Sequence, residues 1–140
     1  MKKITLIFVI VSTLFIQETK AQVTDTLAYL QNIVANKAQY VGQPFSVLYN
    51  NLQIQIKFFS PVAAIHYDKN KETSTSVAFY FPQTAEDMYL TYPCLRIYWQ
   101  PYLNAVQSSI LYSQYDGGEW NATIYNFYKN GIILDIKLED

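Results

Sequence analysis

Apolar and polar side chains alternate along much of this chain, and where they stop alternating they recur at helical spacing. Leu95, Ile97 and Trp99 alternate with Arg96, Tyr98 and Gln100, so the stretch RIYWQPY at 96–102 reads as a strand with Trp99 turned to the core. Pro101 lacks an N–H and is expected to bound that strand or to place it on an edge. Ile54, Ile56 and Phe58 alternate with Gln53, Gln55, Lys57 and Phe59, predicting a strand over 53–59 closed by Ser60-Pro61. Residues 62–67 and 73–81 are expected to form a hairpin around the charged turn DKNKE. In its second arm Val77, Phe79 and Phe81 alternate with Ala78 and Tyr80. Residues 82–93 read as a loop, with a short strand over 88–92. At the end of the chain Ile132, Leu134, Ile136 and Leu138 alternate with Ile133, Asp135, Lys137 and Glu139, predicting a last strand.

The helical spacing falls elsewhere. Leu27, Leu30, Val34 and Ala38 make a stripe over 24–38, with Thr24 as its cap and Asp25 at the positive end of the helix dipole. After Gly42, Pro44 suits a first helical turn, and Phe45, Leu48 and Leu52 predict a short helix ending at Asn50-Asn51. Val106 and Ile110 suggest a helix over 104–112. Asp116-Gly117-Gly118 breaks the chain. Trp120, Ile124, Phe127 and Tyr128 then give a further stripe, with Gly131 as its terminator. Trp99 and Trp120 are both expected in the core. Clean alternation implies a wet sheet face and antiparallel pairing. The fold class predicted is α+β: a two-layer domain, with a mainly antiparallel sheet of about four strands and helices on one face.

The first residues change where such a domain is expected to act. Lys2 and Lys3 precede an apolar run over 4–16, and Thr19-Lys20-Ala21 follows a short polar segment. That is the layout of a cleaved secretory leader, and the run is short of the roughly 20 residues that span a bilayer. The expected organisation is a signal peptide over 1–21 and a single domain over 22–140, secreted or periplasmic. No Cys sits at the cut to take a lipid, and no second apolar segment is long enough for a stable membrane span.

Charge and chemistry narrow the function classes. The net charge is −1 and Lys and Arg form no cluster, so nucleic acid is not an expected partner. Cys94 is the only cysteine, which rules out an internal disulfide. It reads as a small buried apolar residue, with an intermolecular disulfide or a reactive thiol as the alternatives. His66 is the only histidine, so no His-rich metal site can form, and the chain has neither a phosphate loop nor G-x-G-x-x-G. No metal, cofactor or catalytic residue is therefore assigned. Glu86-Asp87, Asp116, Glu119 and Asp135 are the carboxylates from which a glycosidase-like pair would have to come. Asn121-Ala122-Thr123 fits an N-glycosylation acceptor and Asp25-Thr26-Leu27 resembles an O-glycosylation acceptor. The first falls inside the predicted helix with Trp120, and the second at a predicted helix N-terminus.

What remains is aromatic. The chain holds 13 Tyr, 8 Phe and 2 Trp. With Trp99 inside, Arg96, Tyr98, Gln100 and Tyr102 share the opposite side of their strand, and Tyr80 joins them from a neighbour. Tyrosine, arginine and amide side chains combine rigid area with hydrogen-bonding tips, as binding surfaces do. These five are the candidate binding residues. The expectation is an exported, non-enzymatic module that binds a protein, inhibitor- or immunity-like, in the cell envelope. A carbohydrate or cell-wall binder is the second reading, and a small hydrolase built on carboxylates or Cys94 is the third.

Overall fold

The computed structural model describes residues 25–63, 68–81 and 92–139. The expected leader, His66, Glu86-Asp87 and all but Tyr92 of the strand expected over 88–92 lie outside the described residues. The elements in chain order are helix α1 (Thr26–Ala35), a 3-10 turn (Lys37–Gln39), helix α2 (Phe45–Asn51), strands β1 (Phe58–Val62), β2 (Lys71–Ala78) and β3 (Cys94–Asn104), helices α3 (Ala105–Gln114) and α4 (Ala122–Tyr128), and strand β4 (Ile133–Glu139). The four strands form one antiparallel sheet in the order β1-β2-β3-β4, so the fold is α+β as the pattern predicts.

Three helices start on a side chain that competes well for backbone N–H groups. Asp25 Oδ1 accepts from Ala28 N at 3.0 Å, Asn104 Oδ1 from Gln107 N at 3.0 Å, and Asn121 Oδ1 from Thr123 N at 2.8 Å and Ile124 N at 3.2 Å. Each such cap is worth about 1 kcal/mol. The α1 cap is Asp25 and not Thr24, and Asn121 of the Asn121-Ala122-Thr123 triplet is engaged as the α4 cap.

Cross-strand pairing decides the faces. Phe59 opposes Val77, Thr75 opposes Ile97, and Ile97 opposes Ile136, so these side chains share the inner face. Leu30 and Ile33 of α1, Phe45 and Leu48 of α2, and Ile124 and Tyr128 of α4 cover that face. Trp99 lies at the centre, its ring 5.9 Å from Phe45 edge-on and 5.7 Å from Tyr128 stacked. Such pairs contribute about 0.5–1.5 kcal/mol beyond the area they bury.

Several expectations are corrected. The strand predicted over 53–59 begins only at Phe58 and runs through Ser60-Pro61 to Val62. Pro61 is tolerated because β1 is an edge strand, where a missing N–H costs no ladder bond. Pairing also reverses the phase: Phe59 enters the core, while Phe58 packs with Ala78 and Cys94 in a small cluster on the other side. Strand β2 ends at Ala78, leaving Phe81 exposed beneath the Lys57 ammonium. Strand β3 does not stop at Pro101 but passes it through a cis Gln100–Pro101 bond. In α3, Val106 and Ile110 are exposed while Ala105 and Ser108 face inward. Trp120 precedes α4 and is half-buried. Gly131 is not a left-handed terminator. It is small because Trp99 passes behind it: a Cβ there would stand 3.1 Å from the Trp99 ring and from Tyr128 O. In β4, Ile133 is in the core at 1% exposure and Leu134 is outside at 45%, the reverse of the alternation.

Candidate functional site

The five candidate residues fall into two groups. Arg96 and Tyr98 lie on the outer face of β3, opposite Lys137 and Asp135 of β4. Two cations directly opposed would repel. They separate to different partners instead. Arg96 Nη2 sits 2.6 Å from Glu139 Oε1, and its Nε–H donates to Ser76 Oγ at 3.4 Å; the Ser76 hydroxyl in turn donates to Glu139 Oε2 at 2.7 Å. Lys137 Nζ stands 5.0 Å from the centroid of the Tyr98 ring, a cation–π contact. Tyr80 packs against the Phe58–Ala78–Cys94 cluster, its ring 4.6 Å from that of Tyr92. The outer face is thus an array of half-buried Arg, Tyr and Glu with an exposed Lys137, held by side-chain contacts.

Cys94 lies under the same array. Burial, and then the Glu139 carboxylate, push its thiol up to about 12. Almost no thiolate exists at neutral pH, so the residue is a poor nucleophile. Asp135 is bound to Lys37 at 2.5 Å, and that contact holds its carboxyl below the usual carboxylate range. Among the described residues no three His, Cys, Asp or Glu side chains gather as a cation site.

Gln100 and Tyr102 sit beyond two bulges. On the β2 side, pairing runs from Ser74↔Tyr98 directly to Glu72↔Leu103, so β3 carries extra residues there. On the β4 side it runs from Tyr98↔Asp135 to Trp99↔Ile133, leaving Leu134 as the extra residue. Bulges re-aim side chains. Here they turn Tyr102 and Leu134 outward, with Tyr102 49% exposed. Together with Lys71, Trp99, Gln100 and Pro101 these two line a cavity of about 560 Å³. Arg96, Tyr98 and Tyr80 are not among its walls.

Behind the cavity lies a residue that the alternation pattern did not single out. Glu72, at the end of the charged turn, is fully buried. The Tyr128 hydroxyl donates to its two oxygens at 3.0 and 3.2 Å, Thr75 donates to Oε1, and Ser108 lies within hydrogen-bonding reach. Among the described residues no cation forms an ion pair with it. Burial pushes the carboxyl up, against the pull of those hydroxyls. Its position could be suspected only from two buried polar residues, Thr75, which strand pairing turns inward, and Ser108, which α3 turns inward.

No known family, curated protein or solved structure matches the chain. Among the described residues, no helix is long and apolar enough to cross a membrane.

Proposed function

We propose that this chain is an exported, non-enzymatic binding module whose protein partner docks on the outer face of β3, in the manner of an envelope inhibitor or immunity protein. The observation that carries the reading is the fixed geometry of Arg96 and Tyr98. Arginine and tyrosine dominate interface hot spots. Ordering a long side chain on binding costs about 0.5–1.5 kcal/mol, and side chains already held in place avoid much of that cost. Glu139 and Ser76 hold Arg96, and Lys137 covers Tyr98. Of the groups from which an enzyme would be built, Asp135 is engaged by Lys37 and Cys94 is buried with its thiol held protonated.

Export rests on Lys2-Lys3, the apolar run and Thr19-Lys20-Ala21. Intact mass of the exported protein tests it, a mass that retains residues 1–21 being the contrary result. For the partner, crosslinking in the envelope followed by pull-down identifies it, and calorimetry then measures Arg96→Ala and Tyr98→Ala. Loss of a central anchor commonly costs about 2 kcal/mol, or roughly thirtyfold in affinity. Wild-type affinity in both variants, with normal unfolding curves, removes this face from consideration.

A further inference from the structure

The cavity beyond the bulges is a separate site, and its walls describe a ligand. We propose that it binds a neutral saccharide, with the Tyr102 ring stacked on the apolar face of one sugar and Gln100 and Lys71 hydrogen-bonded to its hydroxyls.

Volume comes first. About 560 Å³ falls within the range of small-ligand sites and holds one or two sugar rings. The walls are of two kinds. Tyr102, Pro101 and Leu134 offer apolar surface, Tyr102 and Leu134 being the two large side chains that the paired bulges turn out of the sheet. Trp99 adds only its ring, because its indole N–H points away to Thr75 at 2.8 Å. Gln100 adds an amide that both donates and accepts, and Lys71 an ammonium that donates. A pyranose has this same division, with C–H groups over one face and hydroxyls around its rim.

Charge argues for a neutral ligand. Among the described residues Lys71 is the only charged wall, and Asp68 Oδ2 lies 3.0 Å from its ammonium. The local charge is nearly cancelled, so an anionic ligand would gain little. The sheet edge beside the cavity argues against an extended peptide. Gly42 N donates to Ile133 O at 2.8 Å, Ile133 N donates to Gln43 O at 3.0 Å, and Lys37 Nζ reaches Ile136 O at 3.4 Å. The backbone of β4 that an added strand would need is therefore already paired along that stretch.

The test is an array of neutral and uronic-acid oligosaccharides, followed by calorimetry with any glycan bound and with a proline-rich peptide. A neutral oligosaccharide is expected to bind. Tyr102→Ala should weaken it about tenfold or more, and Tyr102→Phe, which keeps the ring, should retain most of the affinity. Gln100→Ala should weaken it by up to about tenfold, and serves if the tyrosine variant unfolds. Arg96→Ala should leave glycan binding unchanged, which separates this site from the protein-binding face. Binding of uronates alone, binding of the peptide in place of the glycans, no binding on the array, or wild-type affinity in both Tyr102→Ala and Gln100→Ala would each overturn the proposal.

Discussion

Trp99 donates its indole N–H to Thr75 Oγ1 at 2.8 Å across the β2–β3 pair, and the Thr75 hydroxyl passes its own hydrogen on to Glu72. Residues 72 and 75 would lie on opposite faces of a regular strand. The shift in pairing between Glu72 and Ser74 brings both to the inner side. The irregularity that shapes the cavity outside thus also sets a carboxyl into the core, where Tyr128 completes its shell.

That carboxyl makes stability depend on pH. Burial raises its folded pKa above the unfolded value of about 4.3. The folded chain then keeps a proton after the unfolded chain has lost it. The contribution is complete in acid and is lost as pH climbs through the folded pKa. Asp135 and Asp68 act in the opposite sense: contacts with Lys37 and Lys71 lower their pKa values, so their contributions fade as pH falls. Comparing urea unfolding of wild type and Glu72→Gln across pH cancels the two aspartates. The wild type should lose stability relative to the variant as pH rises above about 4.3. Parallel curves would show that Glu72 carries no such linkage.

The two tryptophans should respond differently to losing their N–H. Trp99→Phe leaves Thr75 without its donor, at a cost of about 1–3 kcal/mol for the unpaired group and more for the lost ring area. Trp120 Nε1 is buried with no partner among the described residues. Trp120→Phe removes an unpaired donor while its ring contacts with Phe45, Tyr49, Phe59 and Tyr128 can persist. Chemical denaturation should find Trp99→Phe the more destabilised. The reverse order would mean that the indole–threonine bond contributes little.

The helices over Phe45–Asn51 and Ala122–Tyr128 and the alternation of Leu95, Ile97 and Trp99 were legible because period alone sets the buried face of a regular element. Bulges have no such signature. Ile132, Leu134, Ile136 and Leu138 alternate without fault, yet one skipped residue reverses the first half of the strand. Val106 and Ile110 are spaced like a buried stripe, but α3 turns Ser108 inward toward Glu72 instead. Glu72 itself ends a run of charges that reads as a solvated turn. Its partners come from β2 and α4, with Ser108 of α3 close by, and no local pattern announces such a meeting. Of the candidate site, residue identities along β3 were readable. Their division between a face and a cavity was not, because pairing on both sides of the strand decides it.

The turn over 115–118 offers a test of backbone strain. Gly118 has φ +115°, and an added Cβ would overlap Phe59 O and approach the Phe58 and Tyr112 rings at 2.8 Å. Gly118→Ala therefore meets both a left-handed backbone and overpacking, the latter worth about 1–3 kcal/mol. Asp116, at φ 44°, holds a conformation that glycine adopts without penalty. Asp116→Gly should be neutral or stabilising by up to about 1 kcal/mol. Thermal melting of the two variants should move in opposite directions, or only the first should move. A destabilised Asp116→Gly would show that the aspartate side chain secures the turn.

Ile133 and Leu134 give the sharpest test of the bulge in β4. Both are branched aliphatic residues of equal volume and adjacent in sequence, so composition cannot distinguish them. If the strand followed its alternation, Leu134 would fill the core and Ile133 would face outward with Asp135. The Tyr98/Trp99 bulge exchanges them, setting Ile133 opposite Trp99 and Leu134 in the cavity wall. Truncating a core isoleucine costs about 2–5 kcal/mol, whereas most surface changes stay within about 0.5 kcal/mol. Ile133→Ala should therefore shift the denaturant midpoint strongly with an unchanged slope, and Leu134→Ala should barely shift it. A one-residue slip exchanges the two faces of a strand, so the opposite result would place β4 in the regular register. That outcome would return Leu134 to the core and remove it from the cavity wall.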